Sequence, residues 1–508
     1  MSRTIEISPL TRIEGHLSIH TEAKQQADGT YRIESAECVG EMFRGFETIL
    51  HGRDPMDAQQ ITQRICGVCP IAHGLASCKA QEMAYGIRPT KNGRLLQNLI
   101  LAANYLQSHI LHFYHLAALD FVDVTAVLKY QGSDPTLKQV KAWVEDSLAR
   151  EDMFPAAPLL PRFEGDYIQS TEINCHLLGS YAKAFDMRAL AHEMCAVFAA
   201  KMPHSTSLIP GGCTQAPTVE RVLAYRTRLR ELYGFIKNTY LPDVVTAAGA
   251  YPHLWESGRG PANMLSYGVF DTDDQGGLLL PRGVVIDGKL ETFDQSLIAE
   301  HVRHGWYSAD SGGHPSKSGT TPAPDKADAY SWLKAPRYRG HAMEVGPSAR
   351  VMVGYLDPQT KWIKDAVDGV IGPAGLQPIH LASVLGRHLS RALEAIWIAE
   401  KANEWLDELD FNEKPAQKCV IPASGQGYGL TEAPRGAIGH WLSIRNHLID
   451  NYQCVVPTTW NCSPRDDQGV PGTVEQALTG LVVADPDQAI EAGRVVRSFD
   501  PCLSCSVH

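Results

Sequence analysis

Four cysteines in two matched pairs, and a histidine after the second pair, are the residues whose types and spacing could do metal chemistry. Cys66 and Cys69 lie in RICGVCP; Cys502 and Cys505 lie in DPCLSCSVH, which ends on His508. A Cys-x-x-Cys pair can bite one metal, because a turn or helix end presents both sulfurs about 4 Å apart when each metal–sulfur bond is about 2.3 Å. Two pairs give four thiolates, a set that by ligand type suits zinc or iron–sulfur chemistry, with nickel a less frequent occupant. More than four hundred positions separate Cys69 from Cys502, whereas local zinc modules keep their pairs within a few dozen residues. Either the pairs share a metal across the fold or they are two independent reduced pairs. A tail that is not anchored frays, which favours the shared metal. The remaining cysteines are isolated and read as small buried hydrophobes.

Elements must bring those residues together. Asp54 in GRDPMDAQQITQRICGVCP can cap a helix whose first position suits Pro55, with the first cysteine pair near its far end. Residues 16–40 alternate Leu17, Ile19, Thr21 and then Tyr31, Ile33, Ser35 about an Asp28-Gly29 turn, which predicts a β-hairpin. A second hairpin is predicted in HWLSIRNHLIDNYQCVV. Helical spacing of apolar residues recurs near 95–120, 181–202, 217–247 and 381–409. Residues 266–345 are richer in Gly, Pro and Asp and hold short strand-like runs. The expected fold is therefore mainly α with peripheral antiparallel β, an α+β class. With no Ser/Gly linker or repeat, 1–508 reads as one interlocked domain. Its parts are an N-terminal hairpin region near 4–40, a helical core near 54–250 and 380–410, a β- and loop-rich region near 260–350, and a metal-binding tail at 497–508.

Charge and hydropathy exclude some functions. Lys plus Arg number 46 against 57 Asp plus Glu, for a net charge of -11, so no basic surface is available for phosphates and nucleic acid is not expected as a partner. MSRTIEISPL lacks the charged and apolar regions of a signal peptide, so export would need a signal on another chain. The longest apolar stretch, 95–122, is broken by Asn98, Asn104, Gln107 and three histidines. It reads as a buried helix and not a membrane span.

The residues flanking the cysteines carry a resemblance. RICGVCPIAHG and DPCLSCSVH resemble the paired signatures of the large, catalytic subunit of nickel–iron hydrogenases. PLTRIEGH (9–16), MFRGFETIL (42–50), GRDPMDA (52–58), ANYLQSHILHFYHLAALD (103–120), TEAPRGA (431–437) and NYQCVVPTTWN (451–461) add to it in the family's order across nearly the whole chain. The chain looks most like the heterodimeric hydrogen-oxidising group, including its compact selenium-containing subclass, with Cys502 where that subclass has selenocysteine. The implied fold has a long-helix bundle at its core.

The resemblance implies that Cys66, Cys69, Cys502 and Cys505 hold nickel, with Cys69 and Cys505 also bridging to an iron that carries cyanide and carbon monoxide. Glu14 matches the carboxylate that takes a proton from Cys502. Arg435 and Asp500, with Asp120 nearby, match a polar canopy over the open metal face. Arg435 and Thr458 match groups that hydrogen-bond the cyanides, Pro434 and Val456 flank them in the same two motifs, and His73 matches a donor to a bridging sulfur. Glu47, the backbone carbonyl of Cys454 and the His508 imidazole match a separate magnesium (or ferrous) site. The tail matches the pattern in which a maturation protease cuts after this histidine.

No iron–sulfur ligand set is evident beyond the four thiols, so electrons need another chain. The resemblance supplies an iron–sulfur small subunit, a redox protein such as a cytochrome beyond it, nickel chaperones, and dihydrogen and protons as substrates. A signal on the partner subunit favours a periplasmic or membrane-associated enzyme, with a cytoplasmic one also open. The rival readings are a non-catalytic relative of the complex I type, which lacks the cysteine set, and a structural protein with an S4 zinc. Two lures are set aside: His109, His112 and His115 have a spacing that swings the third off the face of the first, and SGQGYGL (424–430) is not a dinucleotide loop.

Overall fold

A computed structural model describes residues 2–157 and 159–508. Long helices form where apolar residues recur at helical spacing: α1 Pro70–Tyr85, α2 Lys91–Leu111, α3 Thr171–Ala199, α4 Val219–Phe235 and α5 Val384–Glu408. Four of them start on a hydroxyl side chain that accepts a backbone N–H of the first turn, from Thr90, Ser170, Thr218 and Ser383. Such caps satisfy donors the helix itself cannot. Helix α2 is buried almost all round, with α3 and α5 against it. Near the end of the chain come α6, Ile490–Ser498, and the one-turn α7, Leu503–Ser506.

The strands lie around this bundle. β1 Ser2–Ile7, β2 Leu17–Gln25 and β3 Tyr31–Gly40 pair antiparallel in that order. The expected Asp28-Gly29 turn joins the last two, Asp28 accepting from Thr30 N at 3.0 Å. A meander follows later in the chain: β4 Ser424–Ala433, β5 Gly436–Arg445 and β6 Leu448–Val455. The last strand, β7 Val482–Val483, returns to pair with β3. One contiguous buried apolar cluster includes Ile5, residues of all five long helices, and Cys505.

Several elements depart from the sequence expectation. The pattern over 95–120 ends as α-helix at Leu111 and continues as a π-helical turn, His112–Ala117. That over 217–247 is broken by a second π-helical turn, Ile236–Tyr240. The apolar spacing does not mark strand β1 or the helices Pro347–Leu356 and Lys361–Ile371, and helix Pro135–Arg150 lies in the expected helical core without a periodic stretch of its own. The glycines of SGQGYGL have a packing cause: a Cβ on Gly427 would lie 2.1 Å from Ala80 O, and one on Gly429 1.9 Å from Ala76 O. Side-chain-free positions let β4 lie directly on α1.

Candidate metal centre

Each cysteine pair sits at a helix start. Asp54 caps the turn Pro55–Asp57, as its position suggests, accepting from Met56 N at 2.8 Å; the short helix Ala58–Gln63 follows and ends just before Cys66. Cys69 is the N-cap of α1, with Pro70 at its first position. Cys502 is the N-cap of α7, and its N–H donates to Thr458 Oγ1 at 2.9 Å. The four sulfurs converge within 4.8 Å of one another, all buried. Cys66 Sγ is 3.5 Å from Cys502 Sγ, Cys69 Sγ 3.3 Å from Cys505 Sγ, and Cys502 Sγ 2.8 Å from Cys505 Sγ. Both chain ends therefore meet, as a shared site requires.

The charge state of the cluster suits a cation. Hydrogen bonds from Cys502, Cys505 and Cys69 hold Cys66 well below an ordinary thiol, with Arg435 assisting against burial. Burial pushes Cys502 and Cys505 well above it. A metal binding there takes thiolates, so it would displace protons from the buried thiols.

Arg435 stands over this cluster in the turn between β4 and β5, at 1% exposure. Its Nε donates to Asp500 O at 3.1 Å, and its Nη2 lies 3.0 Å from Asp500 Oδ1 in an ion pair whose angles make no hydrogen bond. Nη1 and Nη2 of Arg435 and both carboxylate oxygens of Asp500 have no hydrogen-bond partner although buried. Buried polar groups are nearly always satisfied, so the hydrogen-bonding capacity left unfilled on Arg435 and Asp500 beside four sulfurs fits an absent polar group bound at the centre. Below the turn, Pro434 O accepts from Arg350 Nη2 at 2.9 Å, and Arg350 is itself clamped by Glu394 and Glu432. Val456, fully buried, caps the short helix Pro457–Asn461 that carries Thr458.

Glu14 reaches the site from the N-terminal segment. Ser504 Oγ donates to Glu14 Oε1 at 3.1 Å. Burial, and then the nearby Cys66 charge, raise its carboxyl above the usual range. His73, one turn into α1, has Nε2 3.4 Å from Cys505 Sγ. Asp120 Oδ1 accepts from Arg12 Nη2 at 2.5 Å and Arg497 Nη1 at 2.8 Å, arginines of the N-terminal segment and α6, while its buried Oδ2 has no hydrogen-bond partner. The three histidines set aside above have three separate partners, Glu394, Arg497 O and Tyr181 O.

A second buried group holds the last residue. His508 Nε2 is 2.8 Å from Cys454 O and 3.3 Å from Glu47 Oε1, while Cys454 N donates to Glu47 Oε1 at 2.7 Å. Thr320 Oγ1 donates to Glu47 Oε2, and Lys334 Nζ stands 4.0 Å from that oxygen. Against burial, Lys334 and His508 bring the Glu47 carboxyl down to about 2. Thr320, Lys334 and Glu300, whose Oε2 is 3.4 Å from Lys334 Nζ, carry no local sequence signal, since each meets the site only through the fold. Arg44, two positions before Phe46, also pins the tail: its N–H donates to Val507 O at 2.9 Å and its Nη1 to Ser504 O at 3.0 Å.

Comparison with known proteins agrees with this geometry. Residues 44–508 match the family described as nickel-dependent hydrogenase. The chain is 42% identical to the periplasmic [NiFeSe] hydrogenase large subunit of Desulfomicrobium baculatum, over 99% of this chain and 94% of that one. It is 36% identical to the hydrogenase-1 large chain of Escherichia coli K12, over 100% and 95%. The as-isolated oxidized Ni-Fe-Se hydrogenase of D. vulgaris Hildenborough superposes with a TM-score of 0.88 at 40% identity, each chain fully covered. With similarity running end to end, this chain belongs to the nickel-dependent hydrogenase family as a large, catalytic subunit.

Proposed function

We propose that Cys66, Cys69, Cys502 and Cys505 hold a nickel–iron centre at which this subunit splits or forms dihydrogen, with Cys69 and Cys505 shared between the metals. The observation that carries the proposal is the convergence of four buried sulfurs under Arg435, whose Nη1 and Nη2 make no hydrogen bond. Bound there, the centre would supply soft, incompletely filled coordination at which dihydrogen is cleaved heterolytically. The chain's own residues do the rest. Arg435 and Thr458 offer donors to cyanide on the iron, and Arg435 with Asp500 excludes water from the face they cover. Glu14 takes the proton from Cys502 Sγ and passes it outward, a task its raised affinity for protons favours. Asp120 orders the arginines behind that face.

Glu47, Cys454 O and His508 would hold a magnesium or ferrous ion. Carboxylate and carbonyl oxygens suit a hard cation, and the imidazole is the less typical member. Its work is to lock the tail that carries Cys502 and Cys505. Because both ends of the chain build one site, 1–508 acts as one interlocked catalytic domain.

A large subunit of this family works with a small subunit, and we assign electron exit to iron–sulfur clusters there and then to a redox protein such as a cytochrome. Nickel chaperones and a protease acting after His508 would complete maturation. Periplasmic or membrane-associated placement, through a signal on the partner, follows from the similarity to a periplasmic enzyme. Among the described residues no helix is long and apolar enough to cross a membrane.

Nickel and iron analysis with infrared spectroscopy of the purified heterodimer tests the proposal. One nickel and sharp bands of bound cyanide and carbon monoxide are expected. Zinc in their place, with no such bands, would overturn it.

A further inference from the structure

Cys69, the N-cap of helix α1, and His73, Ser77, Gln81 and Tyr85 within it are spaced four residues apart, so each side chain neighbours the next in a stripe that winds round the helix. Strands β5 and β6 face that stripe with His440 and Tyr452. The polar groups meet in series. Gln81 Nε2 donates to Ser77 Oγ at 3.1 Å, and Tyr85 OH donates to Gln81 Oε1 at 3.0 Å. A second set runs from the Tyr452 phenol to the sulfur. Tyr452 OH is 2.8 Å from His440 Nδ1, His440 Nε2 is 3.3 Å from His73 Nδ1, and His73 Nε2 is 3.4 Å from Cys505 Sγ. His73, Ser77, Gln81, His440 and Tyr452 are all buried.

One boundary condition orders the whole series. A metal-bound Cys505 is a thiolate and can only accept, so His73 Nε2 must carry its proton. The facing nitrogens of His73 and His440 then require Nδ1 of His73 to accept and Nε2 of His440 to donate, since a neutral imidazole has one of each. His440 Nδ1 is left as a lone pair, and the Tyr452 hydroxyl must donate to it. Every donor points toward the sulfur.

We propose that His440 and Tyr452 are positioning residues that fix the His73 tautomer, so that a series of aligned hydrogen bonds withdraws electron density from the Cys505 sulfur and tunes the metal centre. The inference rests on the nickel–iron reading of the four thiols. Aligned bonds of this kind polarise one another in a buried setting, and partners behind a ligand commonly tune a metal.

The test uses the purified heterodimer with Tyr452→Phe, His440→Ala and His440→Gln. Loss of the Tyr452 donor should leave the sulfur richer in electrons, moving the carbon monoxide band to lower wavenumber and the nickel midpoint potential to more negative values. His440→Ala should do the same and further, and adding Tyr452→Phe to it should bring no additional shift, because the links act in series. His440→Gln should restore part of the parent position, since its amide can donate to His73 and accept from Tyr452. Tyr452→Phe deletes a single oxygen and serves if His440→Ala does not fold. Metal-loaded variants with bands and potential at the parent positions would overturn the proposal. A parent enzyme without the bands would instead overturn the nickel–iron reading.

Discussion

Glu14 and Cys502, from opposite ends of the chain, are joined by a parallel β-bridge. Leu503 N donates to Glu14 O at 2.7 Å, and Glu14 N donates to Pro501 O at 3.3 Å. Backbone hydrogen bonds therefore fix the Glu14 segment against the turn that carries Cys502 and Cys505. The proposed relay would add side-chain contact within hydrogen-bond reach of the thiol.

Replacing the Glu14 carboxylate with its amide should separate proton exit from metal binding. Glu14→Gln keeps the backbone bridge and a group able to accept from Ser504, but it cannot ionise. Turnover should fall about 10²–10⁴-fold, and exchange of deuterium gas with solvent protons should fall with it. Metal content and infrared bands should stay near the parent. Normal turnover in a less stable variant would make Glu14 structural only.

The next residue tests the bridge itself. Gly15 has φ +84, and a Cβ there would lie 2.6 Å from Ser504 N and 2.9 Å from Leu503 Cβ. Gly29, in the hairpin turn, has a similar φ of +91 with nothing within 4 Å. Both Gly→Ala changes carry backbone strain of about 1–3 kcal/mol. Gly15→Ala alone adds a collision with the tail bearing Cys502 and Cys505. Melting should drop for both, and hydrogen uptake per folded protein should drop only for Gly15→Ala. Equal uptake in the two variants would remove the bridge from the catalytic account.

Much of this site was legible because its signals are local. Cys66 with Cys69, and Cys502 with Cys505, are spaced for one ligand bite, and the Asp54 cap and the Asp28-Gly29 turn are short-range motifs. The periodic stretches mark α2, α4 and α5 for the same reason. Interactions that pair distant segments left no such trace. Lys334 beside Glu47, Arg350 beneath Pro434, and His440 behind His73 are ordinary residues in sequence and acquire roles only from packing. The glycines of β4 look like loop residues until α1 is laid against them. Helix α3 begins ten residues before the expected 181, at a Ser170 cap whose signal lies outside the apolar pattern.

The ligand role of the thiols predicts a contrast between two buried cysteines. Cys505→Ser replaces a soft thiolate with an alcohol that binds such metals poorly at neutral pH, so most nickel and all hydrogen-dependent dye reduction should be lost. Cys195 is just as buried, but its sulfur faces Ile100 O and Met202, away from the cluster. Cys195→Ser should keep nickel and activity while lowering the melting temperature. Full nickel and activity in Cys505→Ser would break the four-thiol assignment.

Glu82, on α1, makes the pH dependence of stability testable away from the metals. Burial raises its carboxyl from 4.5 to about 7, although Gly211 N donates to its Oε1 at 2.9 Å. The folded state thus keeps this proton up to about pH 7, while the unfolded chain releases it near 4.5. Between those values the native state binds more protons than the unfolded one, so stability falls as pH rises, by at most about 3 kcal/mol. Glu82→Gln removes the ionisation while its carbonyl can still accept from Gly211. The variant should melt close to the parent near pH 4.5 and above it at pH 7 to 8. Glu432 and Glu475 are raised to about 7 by burial as well, so the slope should lessen without vanishing. Parallel melting curves for parent and variant across that range would show that Glu82 is already ionised in the folded protein, and that its bond to Gly211 outweighs the cost of burial.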